Sequence, residues 1–178
     1  MRVGGVLQGR LSMNAELSPA QARIELALLD GKTNSIDRTD VFVHFTNAGI
    51  PAEIIFRLEE LWEATKVIGK KIVHIGRIVI LEIVRFIEEN PKFAIGVALG
   101  AAVGSLASLV PFVGYLLAPI SVAVSAFVGG IAGARLERGQ KPGGGILGFA
   151  QEVIILADKF FSLLASIFNA LKQELSPQ

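Results

Sequence analysis

Residues 93–134 read FAIGVALGAAVGSLASLVPFVGYLLAPISVAVSAFVGGIAGA, a stretch of 42 positions between Lys92 and Arg135 without one Asp, Glu, Lys or Arg. A bilayer core needs about 20 apolar residues per helix, so the run is long enough for two spans. Near its middle Pro111 and Pro119 stand eight apart with Gly114 between them, a combination that punctuates helices. The expected structure is an apolar transmembrane hairpin over 92–135. Its arms cover 92–110 and 119–135, with Pro111, Gly114 and Pro119 at the turn. The alternative is a soluble bundle that sequesters the same hairpin.

Within the arms the small residues repeat. Gly96, Gly100 and Gly104 are four apart and Ser108 continues the row; Gly129 and Gly133 repeat the spacing in the second arm. Residues four apart share a helix face, so each arm carries a flat strip of the glycine-zipper kind. In lipid, helices associate through close backbone approach, which small residues permit. The strips therefore serve packing of one arm on the other, self-association of several copies, or both.

The flanks set orientation. Arg77, Arg85 and Lys92 precede the hairpin, and Arg135, Arg138 and Lys141 follow it. Basic residues at both ends place both termini on the cytoplasmic side, with a bacterial inner membrane as the expected location.

Upstream, residues 1–50 read as an N-terminal extension with short helices. Arg2 is followed by no apolar run of signal-peptide length, and Met13 offers a second start that would make 1–12 an extension. Ser18 and Pro19 open a helix as N-cap and first residue, with Gly31 at its close. Residues 39–45, TDVFVHF, have the β-branched and aromatic content of a strand. No second convincing strand is evident to pair with them, so they are read as a short helix ending near Gly49.

Residues 51–91 are expected to form one long amphipathic helix. At 100° per residue, charges from Glu53 to Glu89 fall within about half the circumference, and residues from Ile54 to Ile87 fill the other half. Phe56, Val67, Ile78 and Leu81 project into the charged half, which suggests a second contact surface. Gly69 and Gly76 lie in the apolar half, where a glycine costs up to about 1 kcal/mol of helix propensity. They are expected to mark a close crossing with the C-terminal helix or a neighbouring subunit. Glu82–Arg85 and Arg85–Glu89 have helical pair spacing.

Residues 136–178 begin with a glycine-rich linker and continue as a C-terminal amphipathic helix over 146–174. Its wide apolar face is expected to pack on the long helix, with the lipid interface as the alternative. Gly143, Gly145 and Gly148 match a dinucleotide fingerprint only formally, since no strand precedes them.

The composition excludes several chemistries. There is no Cys, which removes disulfides, thiolate metal sites and thiol catalysis. Seventeen Lys+Arg against sixteen Asp+Glu leave no global footprint for nucleic acid. His44 and His74 fall on different elements, and His74 is expected on a solvated face. No catalytic residue, cofactor site or metal site is assigned, and an enzyme is not expected. The combined expectation is an all-α fold, an integral membrane helical hairpin flanked by long amphipathic helices. Its function is self-association in a lipid bilayer as a homo-oligomer that forms a pore or channel-like assembly. The alternative is a membrane-anchored scaffold or a subunit that binds other members of a membrane complex.

Overall fold

The computed structural model describes residues 16–137 and 144–175, with side-chain surroundings for 16–110, 113–126 and 151–175. The order is α1 (Pro19–Thr33), α2 (Arg38–Asn47), α3 (Ala52–Trp62), β1 (Lys66–Ile68), β2 (Lys71–Val73), α4 (Ile75–Glu89), α5 (Ile95–Leu109), α6 (Pro111–Glu137), α7 (Gly144–Ala170) and α8 (Lys172–Leu175). The protein is helical, with one small antiparallel hairpin among the described residues.

Local chemistry sets the early helices. Ser18 caps α1 through a capping box with Gln21. The helix runs through Gly31 to Thr33, two residues beyond the expected end. Asp37 caps α2 by accepting from the Thr39 N–H at 2.7 Å. Residues 39–45 are helical, and Gly49 follows α2 in the left-handed region at φ +85°. Phe42 and Phe45 of α2 are buried, and Phe42 meets Trp62 edge-on at 5.8 Å.

The long helix over 51–91 is corrected. α3 ends at Trp62, and α4 begins only at Ile75, after the β1–β2 hairpin. Lys66 pairs with Val73, Val67 with Ile72, and Ile68 with Lys71. Four β-branched residues suit the strands, and the two-residue loop is Gly69-Lys70, with φ +57° and +69°. Both loop positions being left-handed is the geometry of a type I′ turn; Lys70 adopts it at a cost of about 1–2 kcal/mol. The periodicity looked continuous because α3 and α4 are each amphipathic, and twelve intervening residues left their charge pattern nearly in phase.

Gly69 is thus a turn residue and not a crossing point. Gly76 does lie at a close backbone approach, though not to the C-terminal helix. A Cβ there would overlap the Leu61 carbonyl oxygen of α3 and lie 3.3 Å from the Ala64 Cβ. The Gly76 N–H donates to the Ala64 carbonyl at 3.0 Å. The chain folds α4 back across the end of α3, and only a residue without a side chain fits.

α4 occupies the centre, packed on α1, α3, α5 and α7. Ile78, assigned to the charged half by the 100° projection, is buried, and Leu81 is partly buried. Phe86 is buried against Phe160 and Phe161 of α7, with centroids at 5.4 and 5.6 Å. Asn90 closes the helix, its side-chain amide donating to the Phe86 carbonyl at 2.9 Å.

Candidate functional site

The candidate site is the apolar layer α5–α7. Its turn differs from the expected one. Only Val110, extended at φ −130°, separates α5 from α6. Pro111 is the first residue of α6, where a missing N–H is tolerated. Pro119 lies inside α6 and omits one link of its hydrogen-bond ladder. Gly114 lets the first turn of α6 approach α5: a Cβ there would stand 3.1 Å from the Ala107 carbonyl oxygen.

α5 is the inner helix, packed most extensively on α6 and α7. Gly96 is buried in it. A Cβ on Gly100 would stand 3.4 Å from Val124 Cγ1 of α6, at ordinary contact distance. At Gly104 nothing lies within 4 Å, and Gly104 and Ser108 are both exposed. The first glycine row therefore turns from α6 at Gly100 to an open surface at Gly104. Gly129 and Gly133 lie within α6, and their surroundings fall outside the described side chains.

The last helix packs mainly on α5 and α1, whereas the sequence had suggested the long helix as its principal partner. Three polar contacts fix its direction. Lys92 Nζ lies 3.3 Å from Glu152 Oε1, Ser105 Oγ donates to Asp158 Oδ1 at 2.6 Å, and Asn169 Nδ2 donates to the Leu109 carbonyl at 3.2 Å. The contacts follow the same order along both helices, so α5 and α7 run parallel. Ser105 is buried, and its hydroxyl satisfies the half-buried Asp158 carboxylate. Nothing in the uncharged run announced this partner, because Asp158 is 53 residues away.

On the outside of the layer several large apolar side chains face outward: Tyr115 and Val122 from α6, and Ile154, Ile155 and Leu163 from α7. The other elements expose large apolar side chains as well, among them Ile24, Leu28, Val43 and Phe56. Among the described residues, the segment Gln151–Ala170 is long and apolar enough to cross a bilayer. Ile95–Leu109 and Val113–Ala126 are shorter apolar stretches. Fifteen residues of α5 rise only about 22 Å.

A cleft of about 700 Å³ opens between α1, α2 and α4, floored by Leu29, Val41 and Ile78 and rimmed by Lys32, Glu82 and Arg85. Burial pushes the Glu82 carboxyl above the usual range, and Arg85 and Lys32 pull it back. Arg85 is already engaged, 3.7 Å from Glu82, 3.1 Å from Glu89 and over the Phe160 ring at 5.3 Å. Both helical pairs of Arg85 expected from spacing are therefore present. His74 departs from the expected solvated position. Its backbone N–H donates to Asp30 Oδ1 at 2.8 Å, and its Nδ1 lies 3.1 Å from the same oxygen. This contact ties the end of α1 to the start of α4. Among the described residues no group of three His, Asp or Glu is placed to hold a metal ion.

No family model, curated protein or solved structure matches the chain.

Proposed function

We propose that the protein is a small, self-associating membrane protein whose copies assemble in a bilayer into a pore or channel-like oligomer. The carrying observation is the outward apolar surface of α6 and α7 around an inner helix that lacks charge. Lipid covers such a surface at no desolvation cost, and the hairpin over 92–135 then serves as the membrane-embedded element. The open strip at Gly104 and Ser108 supports association of a second copy, since small residues let another backbone come close. In this reading both termini lie on the cytoplasmic side.

A second reading is a membrane-anchored scaffold or complex subunit. The Ser105–Asp158 hydrogen bond favours it, because it spends one of the few polar groups of α5 inside the chain and away from any lumen.

Reconstitution separates the two. A pore former releases small ions from loaded vesicles and cross-links as an oligomer, whereas a scaffold cross-links without leakage. Gly104→Leu should reduce cross-linking while the monomer folds normally, because its side chain enters the open strip. Full solubility of the parent chain without detergent or lipid, with no vesicle association, would reject both.

A further inference from the structure

We propose that the β1–β2 hairpin is a docking finger for an anionic lipid surface. The proposal stands apart from the pore reading, since it needs a charged headgroup layer and no membrane span.

Ile68 and Val73 point inward and are buried, whereas Val67 and Ile72 stand opposite each other on the outer face, 65% and 63% exposed. Two β-branched side chains side by side in water form an apolar spot that no described residue covers. Basic residues lie close in sequence: Lys70 is at the turn, while the register places Lys66 and Lys71 on the face of Ile68 and Val73, opposite the apolar pair. Lys66, Lys70 and Lys71 fall within six positions, and residues 64–81 contain no Asp or Glu. Lys70, at the tip, and Lys71 are exposed, and among the described residues neither has a carboxylate within ion-pair distance.

Arg23 pairs with Glu174, Arg38 with Glu63, Arg57 with Glu60, and Lys92 with Glu152, whereas Lys32, Arg77 and Lys159 have no ion pair among the described residues. The finger differs from these in placing two exposed, unmatched lysines at the turn end of an exposed apolar pair. An anionic leaflet satisfies both features. Headgroups attract the ammonium groups, and the acyl boundary takes Val67 and Ile72. The paired strands hold Val67 and Ile72 side by side and fix the turn that carries Lys70 in advance, so little ordering remains on docking.

The absence of cysteine permits a single-site test on the full chain. Ile72→Cys would carry an environment-sensitive fluorophore, and a second protein would carry it at Val122→Cys on α6. Each is mixed with vesicles of phosphatidylcholine alone or of phosphatidylcholine with phosphatidylserine. The label at 72 should shift to the blue only with phosphatidylserine, and the response should weaken at high salt. Lys70→Glu with Lys71→Glu should lower the apparent affinity on the order of tenfold or more. Equal emission at 72 in both vesicles, or no effect of charge reversal, overturns the finger. A shift at 122 without one at 72 overturns the finger and leaves the membrane reading standing. A shift at 72 without one at 122 supports the finger and rejects insertion of α6.

Discussion

In α3 and α4 charge and apolar side chains occupy separate faces, the starts of α1 and α2 carry side-chain caps, and ion pairs lie on the wet side. In α5 to α7 the order is different. The inner helix has no charge, its one buried hydroxyl answers a carboxylate from another helix, and large apolar groups face outward. Both regions expose large apolar side chains, Ile24, Leu28 and Phe56 in the first and Tyr115, Val122 and Ile155 in the second. The contrast teaches that the regions differ in charge rather than in apolar exposure: residues 93–134 carry none, and the two regions meet through Phe86 and the Phe160–Phe161 pair.

The sharpest way to break the comparison is at that joint. Phe86→Ala removes a buried ring shared by both regions and should cost about 3–5 kcal/mol. Thermal unfolding, in detergent where needed, should show a large fall in Tm and earlier exchange of α7 amides. A Tm close to the parent would mean that the regions are energetically separate.

Gly76→Ala tests the head alone. Ala is the better helix former by about 1 kcal/mol, yet its Cβ would overlap the Leu61 carbonyl. Overpacking of this kind costs about 1–3 kcal/mol, so the variant should melt lower despite its propensity. A higher Tm would remove the α3–α4 crossing.

Ser105→Ala tests the apolar layer. It leaves the half-buried Asp158 carboxylate without its donor, a loss of about 1–3 kcal/mol. Recovery in Ser105→Ala with Asp158→Asn would confirm the pair; an unchanged single variant would place Asp158 in solvent.

The smallest effect belongs to Glu82. Burial raises its folded pKa, so its contribution to stability is full below the ordinary carboxyl range and is lost as pH rises through the folded value. Glu82→Gln should therefore raise Tm modestly at neutral pH and give no advantage below about pH 4. Equal Tm differences at both pH values would exclude this linkage. The size is limited because a partly solvated carboxylate is screened by water.

Much of the fold was legible one residue at a time. Ser18 and Pro19 announced α1, and Arg85 announced its pairs at helical spacing. The continuous apolar run announced helices but misplaced the turn. A proline suits the first turn of a helix as well as a break, and only packing shows which role Pro111 takes. The hairpin inside 51–91 escaped because two amphipathic helices happened to stay in phase. Gly69 and Gly76 illustrate the limit: one serves a left-handed turn and the other a backbone crossing, and the letter G carries neither distinction.

The sequence by itself determined the helical class, the uncharged run over 93–134 and the absence of thiol chemistry, because these follow from composition and near-neighbour spacing. The tertiary structure alone decided that α7 runs parallel to α5, that Ser105 meets Asp158, that His74 meets Asp30, and that Val67 and Ile72 stand together on the outer face of a hairpin. The physical reason is range. Helix periodicity acts over a few residues, whereas these contacts depend on how separate elements bury their apolar faces against each other.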